Sequence, residues 1–411
     1  MKAWPRNPDA LFLYQKLLEA YRLCVRGKPS LKSTDWHWRV EKELSRLAYD
    51  LYNRRYTPGL SSIFVVKTPK PREVIAANIR DRVVHRLVYE YMSPYWEKRF
   101  LPFSFACRAG KGPLAAVKDV EDIIRRHAFS TSVPLHALKV DVSRFFPSLC
   151  HEVLLSTLHK HLENDFFVWL TTVLVRHRAT DPGHYRLDSP RSDWELIEPE
   201  KSLFRVPRSR GLPIGNLTSQ FFANVYMHEM DIFLARNRKG RFLYVQRYVD
   251  DVLILGEDRR ALAAFIPEME AFLWDTLRLR LNPKKTQLRP LAHGVDHLGF
   301  FIKPSHTTVR RSVRVRAEQR MRLNDLSDEK ALQALQSSLG HALHGRNENW
   351  RRALSNRLRR ARPTLAFALC DRANKVKKLA QKETFLSFEA SIGAEKTEAV
   401  EMDLPGNERA F

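Results

Sequence analysis

Apolar positions recur at helical spacing along most of the chain, interrupted by short alternating or continuous apolar runs that read as strands. Leu11, Tyr14, Leu17, Leu18 and Tyr21 predict a helix over residues 8 to 27, and Leu44, Leu47, Ala48 and Leu51 a second from about Val40 to Asn53. Ser62 to Val66 is a short strand, followed by the Pro-punctuated turn KTPKPRE. Ile79 to Met92 and Pro113 to His127 are helical, and Leu138 to Val142 is a strand ending at Asp141. SRFFPSL then leads into a helix from about Cys150 to Lys160. Residues 176 to 211 lose periodicity and read as an insertion or long loop whose ends must be held, since structureless loops of that length are uncommon in compact domains. Gly211 to Gly215 is a turn, and Asn216 is placed to cap a helix facing Leu217, Phe221, Val225, Met230 and Phe233 inward. Phe242 to Gly256, FLYVQRYVDDVLILG, reads as strand, tight turn, strand. Arg259 to Leu277 is a helix, and LNPKKTQL a turn running into a strand. HLGFFI, His297 to Ile302, reads as one short strand with a glycine inside, where a backbone or ligand can come close. From about residue 303 the pattern is helical and very basic, and Thr384 to Phe411 is acidic, poorly patterned and expected to be a flexible tail.

The chemistry gathers at the interruptions. Asp250 and Asp251 break an otherwise apolar hairpin, which is costly unless a positive group sits on them, and hard divalent cations take oxygen ligands. A solvated Asp-Asp turn is the plain alternative. Asp141 adds a third carboxylate at a strand end, and convergence of the three on one sheet suggests two-metal phosphoryl transfer. The 411 residues carry 70 Lys plus Arg against 46 Asp plus Glu, a net charge of +24 spread over the whole length, which points first to a nucleic-acid partner. Lys67, Lys70 and Arg72 suit triphosphate oxygens; Arg80, Arg82 and Arg86 form a stripe that reads either as a solvated face or as a backbone contact. Arg108 and Lys111, beside Gly110 and Gly112, are placed to approach phosphates. There is no run of 18 apolar residues, no signal-peptide pattern and no C-x-x-C pair among four scattered cysteines, which fits a cytoplasmic protein away from membranes, without disulfides or a zinc site.

YVDD at Tyr248 to Asp251 resembles the catalytic box of reverse transcriptases, and further boxes follow the family's order over roughly residues 60 to 345. KVDVSRFFPS resembles the first catalytic box, which implies Asp141 as metal ligand, Val142 as a backbone-carbonyl ligand and Phe146 as the gate against a ribose 2'-hydroxyl. IRDRVVHRLV resembles the fingers helix of bacterial and intron-encoded enzymes. LNPKKT resembles the box whose lysine, here Lys285, protonates pyrophosphate, and HLGFFI, with Leu298 and Gly299, resembles the primer grip. The resemblance implies an α+β right-hand polymerase using two Mg2+ ions, with Mn2+ as an alternative. Its expected partners are template RNA, cDNA or primer, and deoxynucleoside triphosphates. The expected organisation is N-terminal helices and fingers over 1–138, a palm over 139–302 with a fingers-associated insertion at about 176–210, a helical thumb over 303–383 and the tail over 384–411.

A narrower resemblance rests on LPIGNLTSQ. Many reverse transcriptases have glutamine before the glycine of this box and Ser-Pro at its end; here Ile214 precedes Gly215, and Ser219 precedes Gln220. With KSLF, SFACRAGKG and LQSSLGHALHG, this is similar to the enzymes of diversity-generating retroelements. Such enzymes copy a template-repeat RNA with errors opposite adenine, for mutagenic retrohoming, alongside a small basic accessory variability protein. Anti-phage defence reverse transcriptases share the same core, and neighbouring genes discriminate the two. A catalytically inactive RNA-binding protein is the competitor from another class, but pure binding has no use for a carboxylate set that repels phosphates.

Overall fold

The helical periodicities and the apolar runs both form, and in the computed structural model they build an α+β chain; residues 4–28, 34–322 and 345–361 are described. The chain divides into two compact units, Met1–Val295 and Asp296–Phe411.

In the first unit, helices α1 (Ala10–Val25) and α2 (Val40–Tyr52) bury the stripes their spacing predicts. Asp9 caps α1 by accepting the Phe12 N–H at 2.7 Å. Strands β1 (Ser61–Val66) and β2 (Arg72–Ala76) pair antiparallel, Val66 opposite Arg72, so that Lys67 and Lys70 stand at the hairpin tip. Helix α3 (Ile79–Glu97), capped by Asn78, and α4 (Pro113–Ser130) precede β3 (His136–Asp141). Helices α5 (His151–His159) and α6 (Asp165–Arg176) follow.

The segment after α6, expected to be an irregular insertion, carries a strand of its own. Strand β4 (Tyr185–Leu187) runs parallel to β1, Ser61 opposite Tyr185, giving a sheet of order β2-β1-β4. Its far end is held by the buried Glu73 on β2, which accepts from Ser202 Oγ at 2.7 Å and Leu203 N at 3.0 Å. Burial pushes the Glu73 carboxyl up, and those two donors oppose the shift.

Helices α7 (Leu217–Tyr226) and α8 (His228–Arg238) lead into β5 (Tyr244–Tyr248) and β6 (Asp251–Gly256). Asn216 stands at the N-terminus of α7 but does not cap it with its side chain. Instead Asn216 Oδ1 accepts the Ala77 N–H at 3.1 Å, and the Ile214 carbonyl accepts the Ile75 N–H at 2.8 Å. The turn is thus fastened along β2, a tertiary use of the side chain that outcompetes the local cap. Helix α9 (Arg259–Leu277) and β7 (Gln287–Pro290) complete a four-stranded antiparallel sheet of order β5-β6-β3-β7. Val140 and Val252 to Leu255 are almost completely buried. That near-continuous apolar run fits strands covered on both faces.

In the second unit the HLGFFI stretch is two strands rather than one. A turn at Leu298 (φ +47°) and Gly299 (φ +89°) separates β8 (Val295–His297) from β9 (Phe300–Ile302), the positive-φ pair that a two-residue hairpin needs. Strand β10 (Thr307–Val309) pairs with β9, and helices α10 (Arg311–Arg322) and α11 (Glu348–Ala361) follow. The LQSSLGHALHG stretch up to residue 344 and the acidic tail lie outside the described residues.

Gly215 cannot be replaced cheaply. Its φ is +134°, and an added Cβ would lie 2.5 Å from the Ile75 carbonyl oxygen. We expect Gly215→Ala to cost about 2 kcal/mol of stability through backbone strain, read as a lowered melting temperature, whereas Gly240→Ala, with open space around it, should lose less.

Candidate active site

Antiparallel register brings the carboxylates together. On β3 and β6, Asp141 lies opposite Asp251, and Asp251 lies opposite Tyr248 on β5. Val249 and Asp250 form the turn between β5 and β6, so all three carboxylates share one end of the sheet. Val249 is left-handed, φ +57°, an uncommon conformation for a β-branched residue.

Two lysines answer the negative charge. Lys285 Nζ lies 2.6 Å from Asp141 Oδ2, and Lys139 Nζ lies 3.5 Å from Asp251 Oδ2. The LNPKKT turn is tied to the same strand end: Asn282 donates its backbone N–H to the Asp141 carbonyl at 2.7 Å, and its carbonyl accepts from Lys285 N at 3.0 Å. Sequence reasoning found Lys285 but not Lys139, although its position two before Asp141 places it on the same strand face.

Asp250 is strongly perturbed. Burial, then the charges of Asp141 and Asp251, push its carboxyl up to about 7. Burial also raises Asp251, opposed chiefly by Lys139. The donor set is all oxygen, and its members destabilise one another's charged forms, which suits a hard divalent cation. Among the described residues, no three His, Cys, Asp or Glu side chains are already arranged to hold an ion; the ammonium groups of Lys285 and Lys139 stand as the positive charges instead. Asp141, Asp250 and Asp251 are the side chains that would hold Mg2+.

The other expected site residues are placed as follows. Val142 is buried and bridges Leu281, and Phe146 is half-buried with its ring edge-on to Phe145. Lys67 pairs with Asp193 of the insertion at 2.7 Å, while Arg72 is exposed at the start of β2. Ile214 and Gly215 lie along β2, and the exposed Gln220 accepts from Cys107 Sγ at 3.6 Å. The basic groups expected to face phosphates are turned inward in several cases. Arg80 donates to Asp50 and to the Thr57 carbonyl, Arg82 to the Ala77 carbonyl, and Arg86 pairs with Glu90. Arg108, its side chain 8% exposed, is consumed by Glu97 and the carbonyls of Leu101 and Ser104. Lys111 bonds the Pro102 carbonyl and covers the Phe105 ring. Nearby carboxylates and free carbonyls compete for these donors, a competition invisible in a local charge pattern. Leu298 and Gly299 belong to the second unit.

A buried charged residue beside the carboxylate turn that sequence reasoning passed over is Arg247. It lies on β5 and is fully buried, as is its partner Asp231 on α8. A charged side chain within an apolar strand was the available signal.

A family model described as reverse transcriptase (RNA-dependent DNA polymerase) matches residues 66–302. The chain belongs to the reverse transcriptase family. It is therefore an RNA-directed DNA polymerase by family, with the right-hand polymerase fold, and its substrates are template RNA and nucleic acid. Protein YkfC of Escherichia coli is 23% identical over 322 residues, 69% of this chain and 79% of that protein. An uncharacterized 91 kDa protein in the cob intron of Schizosaccharomyces pombe is 20% identical over 205 residues, 50% of this chain and 22% of that protein. A telomerase structure from Candida albicans, complexed with a fragment of telomeric RNA, aligns with a TM-score of 0.44 at 13% identity, covering 79% of this chain and 58% of that one. No helix among the described residues is long and apolar enough to cross a membrane.

The raised Asp250 carboxyl fixes a pH dependence. A group whose folded pKa rises from 3.8 to about 7 favours the folded state below its ordinary range and loses that contribution as pH climbs towards 7. A cation held there would compete with that proton, so Mg2+ is expected to bind better at higher pH. Thermal unfolding should show a larger Mg2+-induced rise in melting temperature at pH 8 than at pH 6, and the difference should shrink in Asp250→Asn. An equal rise at both pH values in wild type would contradict this.

Proposed function

We propose that this reverse transcriptase makes error-prone cDNA from a template-repeat RNA in a diversity-generating retroelement, where mispairing opposite adenine feeds mutagenic retrohoming. It acts in the cytoplasm with a small basic accessory variability protein. The observation that carries the reading is the apolar Ile214 preceding Gly215, where many relatives carry glutamine, on a turn fastened to β2. A side chain without a hydrogen-bonding group discriminates weakly between correct and incorrect base pairs.

In this reading the β5-β6-β3-β7 sheet is the palm, the β2-β1-β4 sheet belongs to the fingers, and the described helices α10 and α11 belong to the thumb. Asp141, Asp250, Asp251 and the Val142 carbonyl are the groups that would hold divalent cations, which when bound would supply activation of the primer 3'-hydroxyl and charge neutralisation on the triphosphate. Lys67 and Arg72 bind triphosphate oxygens, and Lys67 must leave Asp193 to do so. Lys285 carries the proton for the pyrophosphate; its half-exposed ammonium is kept beside the site by Asp141. Phe146 excludes a ribose 2'-hydroxyl, and Leu298 and Gly299 steady the primer. The basic surface grips template and primer through phosphate contacts, so binding weakens steeply with salt.

The test is deoxynucleotide incorporation on a primed RNA template with Mg2+, followed by sequencing. Asp250→Asn should lower incorporation by about three orders of magnitude, the equivalent of roughly 4 kcal/mol of transition-state stabilisation. Wild-type errors should concentrate opposite template adenine, and Ile214→Gln should reduce them. Accurate copying by wild type, with and without the accessory protein, would remove the diversity-generating reading while leaving the polymerase.

A further inference from the structure

The guanidinium of Arg247 has five N–H donors, and each has an acceptor. Nε and Nη2 bond the two Asp231 carboxylate oxygens, each at 2.6 Å. Nη2 also bonds Ser104 Oγ at 2.8 Å, and Nη1 bonds Asn224 Oδ1 at 3.2 Å. The fifth bond runs from Nη1 to the Val249 carbonyl at 2.9 Å. The backbone is bracketed as well: the Arg247 N–H donates to the Phe103 carbonyl at 2.9 Å, and its own carbonyl accepts from Phe105 N at 3.0 Å.

Four of these acceptor contacts by the side chain lie in the packed interior; the Val249 carbonyl lies in the carboxylate turn. That carbonyl shares a planar peptide with the Asp250 N–H. Val249 is held at φ +57°, a conformation that persists only where its surroundings over-determine it. A buried ion pair is a weak device for stability, since apolar side chains of similar volume often serve as well. It is a good device for orientation, because a planar fork with every donor met has one arrangement.

We infer that Arg247 is a positioning residue for Asp250: its guanidinium, locked by Asp231, Ser104 and Asn224, fixes the Val249–Asp250 peptide and so aims the Asp250 carboxylate at the cation. This rests on the reading of Asp250 as a cation-holding carboxylate. Arg247, fully buried, acts through the turn alone.

The experiment measures Mn2+ binding to the full chain by electron paramagnetic resonance, with melting temperature and Mg2+-dependent incorporation on the same preparations. Arg247→Lys keeps a positive charge beside Asp231 but loses the fork, and should weaken Mn2+ binding about tenfold, in the range seen when residues supporting metal ligands are changed. The Mg2+ concentration for half-maximal incorporation should rise in parallel, with template–primer affinity unchanged. Ser104→Ala, which frees one Nη2 hydrogen and leaves the Asp231 pair intact, should fold and weaken Mn2+ binding in the same direction by a smaller factor. If Arg247 serves stability alone, melting temperatures fall while Mn2+ affinity stays within about twofold of wild type in every folded variant; that result overturns the inference. Wild type that binds Mn2+ but incorporates no nucleotide would remove the polymerase reading while leaving the positioning role to stand or fall on the binding data. Wild type that binds no Mn2+ would overturn both.

Discussion

Three carboxylates gathered at one end of a sheet repel one another, and much of the first unit is arranged to keep them there. The antiparallel register of β3 and β6 sets Asp141 opposite Asp251, and the turn adds Asp250. Lys285 and Lys139 partly neutralise the cluster, yet Asp250 is still pushed up to about 7. A divalent cation bound there would replace proton and like-charge repulsion together. Below the carboxylates, Arg247 and Asp231 form the rigid foundation of the turn, and Ser104 and Asn224 complete it.

The same logic of long-range fastening runs through the surroundings. Residues 176–210 would be a liability as a free loop, but β4 pairs with β1, Glu73 holds Ser202 and Leu203, and Asp193 meets Lys67. The turn at Ile214 and Gly215 is fastened to β2 through the Ile75 and Ala77 N–H groups, the latter reaching Asn216. The hairpin tip carrying Lys67 and the turn at Ile214 and Gly215 are therefore both attached to one small sheet. Movement of β2 would be felt at both.

Features governed by local chemistry were legible in the sequence. The stripes of α1, α2 and α3, the strand ending at Asp141 and the Asp-Asp hairpin follow from periodicity and turn propensity, and Lys285 followed from its motif. Features set by distant partners were not. Asn216 reads as a cap until the Ala77 N–H competes for it. A stripe of Arg80, Arg82 and Arg86 reads as either a solvated face or a nucleic-acid backbone contact until Asp50, the Ala77 carbonyl and Glu90 take the guanidinium groups. Strand β4 is three residues long, and only its pairing with β1 defines it. HLGFFI looked like one strand because Leu298 was expected to stay extended; its positive φ, with that of Gly299, makes the turn. Arg247 was passed over because a lone arginine in an apolar strand acquires meaning only when Asp231, on a separate helix, is brought to it.

The proposed reaction requires Asp141, Asp250 and Asp251 to hold the catalytic cation jointly. The most direct measurement is anomalous scattering from crystals of the protein grown with Mn2+ and a primer–template. A peak is expected at oxygen-ligand distance, about 2.2 Å, from the carboxylates of Asp141, Asp250 and Asp251, with the Lys285 ammonium displaced from Asp141. A structure with primer–template bound and no Mn2+ peak at these carboxylates, or with Lys285 still seated on Asp141, would contradict it.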